Sequence, residues 1–229
     1  MESKIGGAVM KIRFVGRGRL REFKENYESE GEELIVFGFE GMGEVSYEKE
    51  LKGESGFFEE AALLSKESRG VAVCGCVTDT RGHKRKSAVV AECGKLIGVS
   101  DMLNVIDGEV SAGAALRIYE TKIGRIGVAV AEDILFPEVI KSLALCGSDF
   151  IVCPFTRVSD TLTQTLLRSY AYCYGVPILF CGVGYSMIAD MGGSLAFASP
   201  QSPITADFEN VKEYHLVETR RRGFYSPKL

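Results

Sequence analysis

Residues 123–155, IGRIGVAVAEDILFPEVIKSLALCGSDFIVCPF, restrict the fold of this chain more than any other stretch. A continuous apolar run ends in Ala131-Glu132-Asp133. Phe136-Pro137-Glu138 then opens a segment with apolar residues at helical spacing, and Gly147 stops it. Proline suits the first turn of a helix, because the amide it lacks has no intrahelical partner there. A second apolar run, DFIVCPF, follows. The unit reads as buried strand, sharp turn, helix, buried strand. Such a turn is a frequent place for a nucleophile, yet no nucleophile stands at the turn here.

The flanking sequence extends the pattern. MKIRFVG and ELIVFGFEG read as strands around a short charged helix, RLREFKENYESEGEE. GFFEEAALLSKESRG has helical spacing and a glycine stop, and VAVCGCVTDT is another buried strand. HKRKSAVVAECGKLIGVSD predicts a hairpin turning at Cys93-Gly94, and ALRIYETKIGRIGVAVAE a second one turning near Gly124. DTLTQTLLRSYAYCYG predicts a helix and VPILFCGVG a strand; GGSLAFASP, SPITAD and EYHLVET read as short late strands. Alternation at both ends with hairpins between them predicts an α/β chain with a mixed sheet, or two sheets, and helices outside. No linker or repeat interrupts it, so residues 1–229 are expected to form a single domain.

The balance of 46% hydrophobic and 25% charged residues is that of a globular protein. The net charge of −4 gives no basic footprint, so no nucleic-acid partner is expected. The basic run Arg220-Arg221-Arg222 reads as a solvated or interface-facing tail in preference to a phosphate site. No signal-like segment opens the chain, and no apolar stretch reaches the roughly 18 residues that span a bilayer. Seven cysteines, mostly inside apolar runs, predict free thiols in a reducing cytoplasm. Cys74-Gly75-Cys76 lacks zinc spacing, and both thiols fall on one strand face as core residues; Cys146 and Cys173 are also read as core. His83 and His215 have no nucleophile or ligand near them in sequence, and neither metal nor cofactor is expected.

GRIGVAVAEDILFPEVIKSLALCGSDFIVCPF resembles the signature of the nitrilase, or carbon–nitrogen hydrolase, superfamily. EELIVFGFE, CGKLIGVSD, LLRSYAYCYGVPILFCGVG and GGSLAFASP resemble its other segments in order and spacing. The resemblance implies a four-layer α-β-β-α sandwich and a dimer. It also implies a glutamate base, a lysine and a cysteine that together attack an amide or nitrile carbon. A thiol needs such a base or a nearby cation to attack at neutral pH, and the anion formed needs preorganised donors.

Matched position by position, the glutamate is Glu40. Asp101 and Met102 stand where the lysine should fall, and no Lys or Arg occurs between Lys95 and Arg117. Ala131 replaces the cysteine and Glu132 its aromatic neighbour, while Asp133 matches and is expected to cap the turn or the following helix. Asp101, Glu132 and Glu40 together would raise one another's pKa and disfavour a negative transition state. Cys153 and Cys181, at strand ends, are expected either to line the pocket or to pack in the core. The leading expectation is a non-catalytic homodimer that binds a small amide- or amine-like ligand through Asp101, Met102, Ala131, Glu132, Cys153 and Cys181. Two alternatives stand beside it. One is an active amidohydrolase with Cys153 or Cys181 as nucleophile and Glu40 as base; the other is a structural subunit paired with an active homologue.

Overall fold

The structure, a computed structural model, describes residues 9–106, 108–156, 161–212 and 214–222. In chain order these form β1 (Val9–Val15), α1 (Leu20–Glu25), β2 (Leu34–Phe37), β3 (Glu44–Ser46), α2 (Tyr47–Leu51), α3 (Phe57–Glu67), β4 (Val71–Thr80), β5 (His83–Glu92) and β6 (Lys95–Asp101). The second half adds β7 (Ile118–Thr121), β8 (Gly124–Val128), α4 (Pro137–Leu145), β9 (Phe150–Pro154), α5 (Thr161–Tyr174), β10 (Ile178–Gly182), β11 (Tyr185–Ala189), β12 (Leu195–Ser199), β13 (Ile204–Glu209) and α6 (Tyr214–Arg222). A short 3-10 helix, Ala131–Leu135, joins β8 to α4.

Among the described residues the strands form two sheets. The first has the order β13-β1-β2-β4-β5-β6, with β3 also on β4; the second runs β12-β11-β10-β9-β8-β7. In each, the central strands are parallel: β1, β2 and β4 in one, β8, β9 and β10 in the other. Parallel neighbours need a crossover, and α1, α3, α4 and α5 lie between them in sequence. Antiparallel hairpins flank these strands, including the expected turns at Cys93-Gly94 and near Gly124, and β13 closes the first sheet antiparallel to β1.

Alternation along each strand sorts the side chains into three cores. Ile12, Phe14, Val36, Val73 and Val90 of the first sheet meet Val128, Phe150, Val152 and Ile188 of the second. Ile35, Phe37, Ala72 and Val89 face α1 and α3 instead. Ile151, Phe180 and Met187 face α4 and α5. The layers are therefore helix, sheet, sheet, helix. Each fully buried Phe, Ile or Val side chain contributes about 1.5–3 kcal/mol. Where β1 and β10 end, the sheets touch backbone to backbone: a Cβ on Gly16 would lie 2.3 Å from the Gly182 carbonyl oxygen.

Two expectations need correction. Tyr214–Arg222, which includes all of EYHLVET but its first residue, forms the helix α6, which packs on α4 and α5, rather than a strand; Glu213 lies outside the described residues. A short apolar pair in a charged segment does not distinguish the two periods. Cys146 and Cys173 are exposed rather than core, because each lies on or just beyond the solvent side of a helix. Cys74 and Cys76 share the α3-facing core.

Candidate functional site

β8 delivers the chain to Ala131, which is fully buried against the core between the sheets and adopts φ 51°. That left-handed conformation costs a non-glycine residue about 1–2 kcal/mol. It is held by a turn in which the Asp133 amide donates to the Val130 carbonyl at 3.1 Å. The turn aims the next two side chains in different directions.

Glu132 is 3% exposed. A carboxylate so buried needs partners. Lys86 Nζ donates to its Oε2 at 2.8 Å, and Thr156 Oγ1 donates to its Oε1 at 2.9 Å. Burial pushes the Glu132 carboxyl up, but the hydrogen bonds from Lys86 and Thr156 outweigh it and hold the group below its ordinary range. The expected mutual raising of the site's carboxylates therefore fails at Glu132, because a cation sits on it. Lys86 was not among the candidates read from the sequence. Its signal is strand alternation: Ala88 and Val90 face the second sheet, and Lys86 shares their side of β5.

Asp133 does not cap α4, whose first turn has no side-chain cap. Its buried carboxylate instead accepts from the Leu103 amide at 2.9 Å, and from the Asn104 amide and Asn104 Nδ2, each at 2.9 Å. It thereby fastens the segment leaving β6 to the turn leaving β8. Burial raises its pKa despite these bonds.

The remaining candidates separate. Met102 is 1% exposed and packs in the inter-sheet core with Ala131 and Phe39. Asp101, one residue earlier on β6, faces the opposite way. It pairs in register with Ser87, accepts a 2.7 Å hydrogen bond from that hydroxyl, and lies 3.9 Å from Arg85. A period of two forbids Asp101 and Met102 from sharing a face, so only Met102 joins the turn. Cys153 faces α4 and α5, away from the inter-sheet space, and burial raises its pKa far above the ordinary thiol range. Cys181 does face that space, but its thiol donates to the Val36 carbonyl at 3.4 Å, and burial pushes its pKa up to about 12.

Glu40 is exposed. Its Oε2 accepts from the Gly18 amide at 3.4 Å, in an outer groove shared with Arg19, Arg21 and Glu44. Phe39 holds the inward position instead, its ring against Gly75, where an added Cβ would lie 2.9 Å from it. Among the described residues, no group of three or more His, Cys, Asp or Glu side chains could hold a metal ion. No helix there is long and apolar enough to cross a membrane.

The family model for carbon–nitrogen hydrolase matches residues 48–211, most of the chain. The chain belongs to that family. A probable nitrilase of Schizosaccharomyces pombe is 28% identical over 156 residues, covering 62% of this chain and 56% of that protein. The match thus spans little more than half of that relative. Among solved structures, Saccharomyces cerevisiae Nit3, a member of branch 10 of the nitrilase superfamily, superposes with a TM-score of 0.71 at 18% identity, covering 100% of this chain and 98% of that one. The carbon–nitrogen hydrolase of Helicobacter pylori G27 gives 0.70 at 17%, covering 95% and 94%. A glutamate-to-glutamine, cysteine-to-alanine double mutant of the Nesterenkonia amidase, solved in complex with acrylamide, gives 0.72 at 13%, covering 96% of each chain. At these identities the structural likeness is one of fold: two packed sheets between helices.

Proposed function

We propose that this chain is a carbon–nitrogen hydrolase family member without hydrolytic activity, which holds a small amide-like ligand beside the Lys86–Glu132 pair and works as a cytoplasmic homodimer. The observation that carries the reading is the Ala131 turn. The turn is strained and buried, but the side chain on it has no atom that can attack a carbonyl. The residue after it is an ion pair rather than an unpaired acid. A neutral amide matches such a pair: its carbonyl oxygen can accept from an ammonium and its N–H can donate to a carboxylate. This narrows the amide-or-amine expectation towards the amide, since Lys86 offsets the negative charge that would select an amine. The alanine-bearing Nesterenkonia variant that holds acrylamide lends the reading support by analogy of fold.

A relocated thiol mechanism asks Glu40 to take a proton from Cys153 or Cys181. Glu40 lies in an outer groove, and both thiols are buried with raised pKa values, which disfavours the thiolate. One observation favours the structural-subunit reading: Met102 and Phe39 fill inter-sheet space next to Ala131.

The test pairs ammonia release from a panel of amides and nitriles with thermal stabilisation by acrylamide and propionamide. The expected result is no ammonia and a saturable rise in Tm that Glu132→Gln loses. A ligand at a hundred times its Kd stabilises by about 2.7 kcal/mol. Ammonia release abolished by Cys181→Ala or Cys153→Ala would overturn the proposal in favour of the relocated thiol. No stabilisation by any amide would leave the structural reading. Light scattering reads the dimer separately.

A further inference from the structure

The second sheet has another polar site at its other end. Because β8, β9 and β10 are parallel, their carboxyl ends share an edge with the Ala131 turn, while Asp149 and Pro177 mark their amino ends. A cavity of about 160 Å³ opens there, lined by Asp149, Met191, Asn210, Lys212, Val217 and Arg221 among others. Pockets for drug-sized ligands run from about 300 Å³ upwards, so this one suits a molecule of a few heavy atoms.

Two buried polar atoms in its lining have no protein partner among the described residues: Arg221 Nε, a donor, and Asn210 Oδ1, an acceptor. Their own side chains are otherwise fixed. Arg221 Nη2 donates to the Ser148 carbonyl at 2.7 Å, and Asn210 Nδ2 donates to the Asp149 carbonyl at 3.4 Å. The carboxylate in the lining is already committed, since Asp149 accepts from the Arg125 amide and is paired with Lys212. The charge of Arg221 is thus left over. Its guanidinium is also pulled down in pKa by burial, with Arg125 adding to the effect and Asp149 opposing it.

A matching occupant must be small, carry negative charge, accept from Arg221 and donate to Asn210. We propose that the cavity binds a hydroxyl-bearing oxyanion of the bicarbonate or hydrogen phosphate class. Its ionised oxygens would sit on Arg221 Nε and the Lys212 ammonium, and its hydroxyl on Asn210 Oδ1. Such a ligand ties α6, which supplies Val217 and Arg221, to the strand ends beneath it. Arg220 and Arg221 are then not part of a solvated tail: Arg220 Nη1 donates to the Met191 carbonyl at 2.8 Å and Arg221 reaches into the cavity.

The experiment titrates the full chain with sodium bicarbonate and sodium phosphate, against sodium chloride at matched ionic strength. Tm is followed in the native protein, Asn210→Asp and Lys212→Met. The expected result is a saturable rise in the native protein, weakened roughly tenfold or more in affinity by Asn210→Asp, whose charge faces the anion. Lys212→Met is expected to weaken it as well. General salt stabilisation acts on native and variant alike. An identical, non-saturating rise in all three proteins would overturn the proposal and leave ordered water as the occupant. Circular dichroism of the free variants shows that they are folded, so a lost response is a lost site.

Discussion

Glu40 follows β2 and Glu132 follows β8, each at the carboxyl end of a parallel strand, and they have opposite fates. Glu132, after β8, is buried and paired with Lys86 and Thr156. Glu40, after β2, is exposed, with a 3.4 Å contact to the Gly18 amide. The difference follows from what sits between the sheets. At β2 the inward position belongs to Phe39, whose ring lies against Gly75, and after the neighbouring β1, Gly16 meets the Gly182 backbone of the other sheet, so a carboxylate has no room there. At β8 the left-handed Ala131 turns the next side chain towards β5, where a lysine lies within reach. A charge survives burial only where a partner is already placed, and here that partner comes from the opposite sheet.

Removing one partner tests the contrast most severely. Glu132→Ala leaves Lys86 with a largely buried, unpaired charge and is expected to lower stability by about 3 kcal/mol, whereas Glu40→Ala should change it by less than about 0.5 kcal/mol. Urea melts of the two variants measure this directly, and equal effects would erase the distinction. Asp133→Ala should cost about 2 kcal/mol, since the Leu103 and Asn104 amides lose a buried acceptor. Hydrogen exchange at those two amides should quicken with it.

Acid titration sharpens the comparison further. Folding holds Glu132 below its ordinary 4.5, so its contribution is present above that pH and is lost as pH falls through the folded value. Asp133 is raised above its ordinary 3.8 by burial. Its contribution is therefore present at lower pH and is lost as pH rises through its folded value. Glu132→Gln should flatten the acid limb of the stability curve and Asp133→Asn should steepen it. Either variant behaving like the native protein would remove that residue from the account.

The smallest expected effects are at the turn. Ala131→Gly relieves about 1–2 kcal/mol of left-handed strain but adds roughly 0.5–1 kcal/mol of chain entropy, for a net gain near 0.5 kcal/mol. Ala131→Cys should release no ammonia from amides, because Glu40 does not face the turn as a base. Turnover in that variant would show that the two strand ends cooperate after all.

Much of the fold was legible because apolar period and glycine or proline punctuation act locally. The strand–turn–helix–strand unit at 123–155, both predicted hairpins, and the helices α1, α3 and α5 all follow from residues close together in the chain. β3 and α2, at 44–51, left no such trace, being too short for a period to show. α6 was misread as a strand because an apolar pair in a charged segment fits either period.

The candidate site was legible in part: Met102, Ala131 and Glu132 were read from the sequence, but not the lysine that pairs with Glu132. The sequence by itself determined that no thiol stands at position 131, that no lysine or arginine lies between Lys95 and Arg117, and that Glu40 ends an apolar strand. The tertiary structure decided that Lys86 meets Glu132, that Asp101 looks away from Met102's neighbours, and that Phe39 rather than Glu40 faces inwards. Asp101 and Phe39 were in principle open to alternation, once the inner face of each sheet was known. The pairing of Lys86 with Glu132 was not, because it joins residues 46 apart on different sheets, and only the packing of those sheets brings them together.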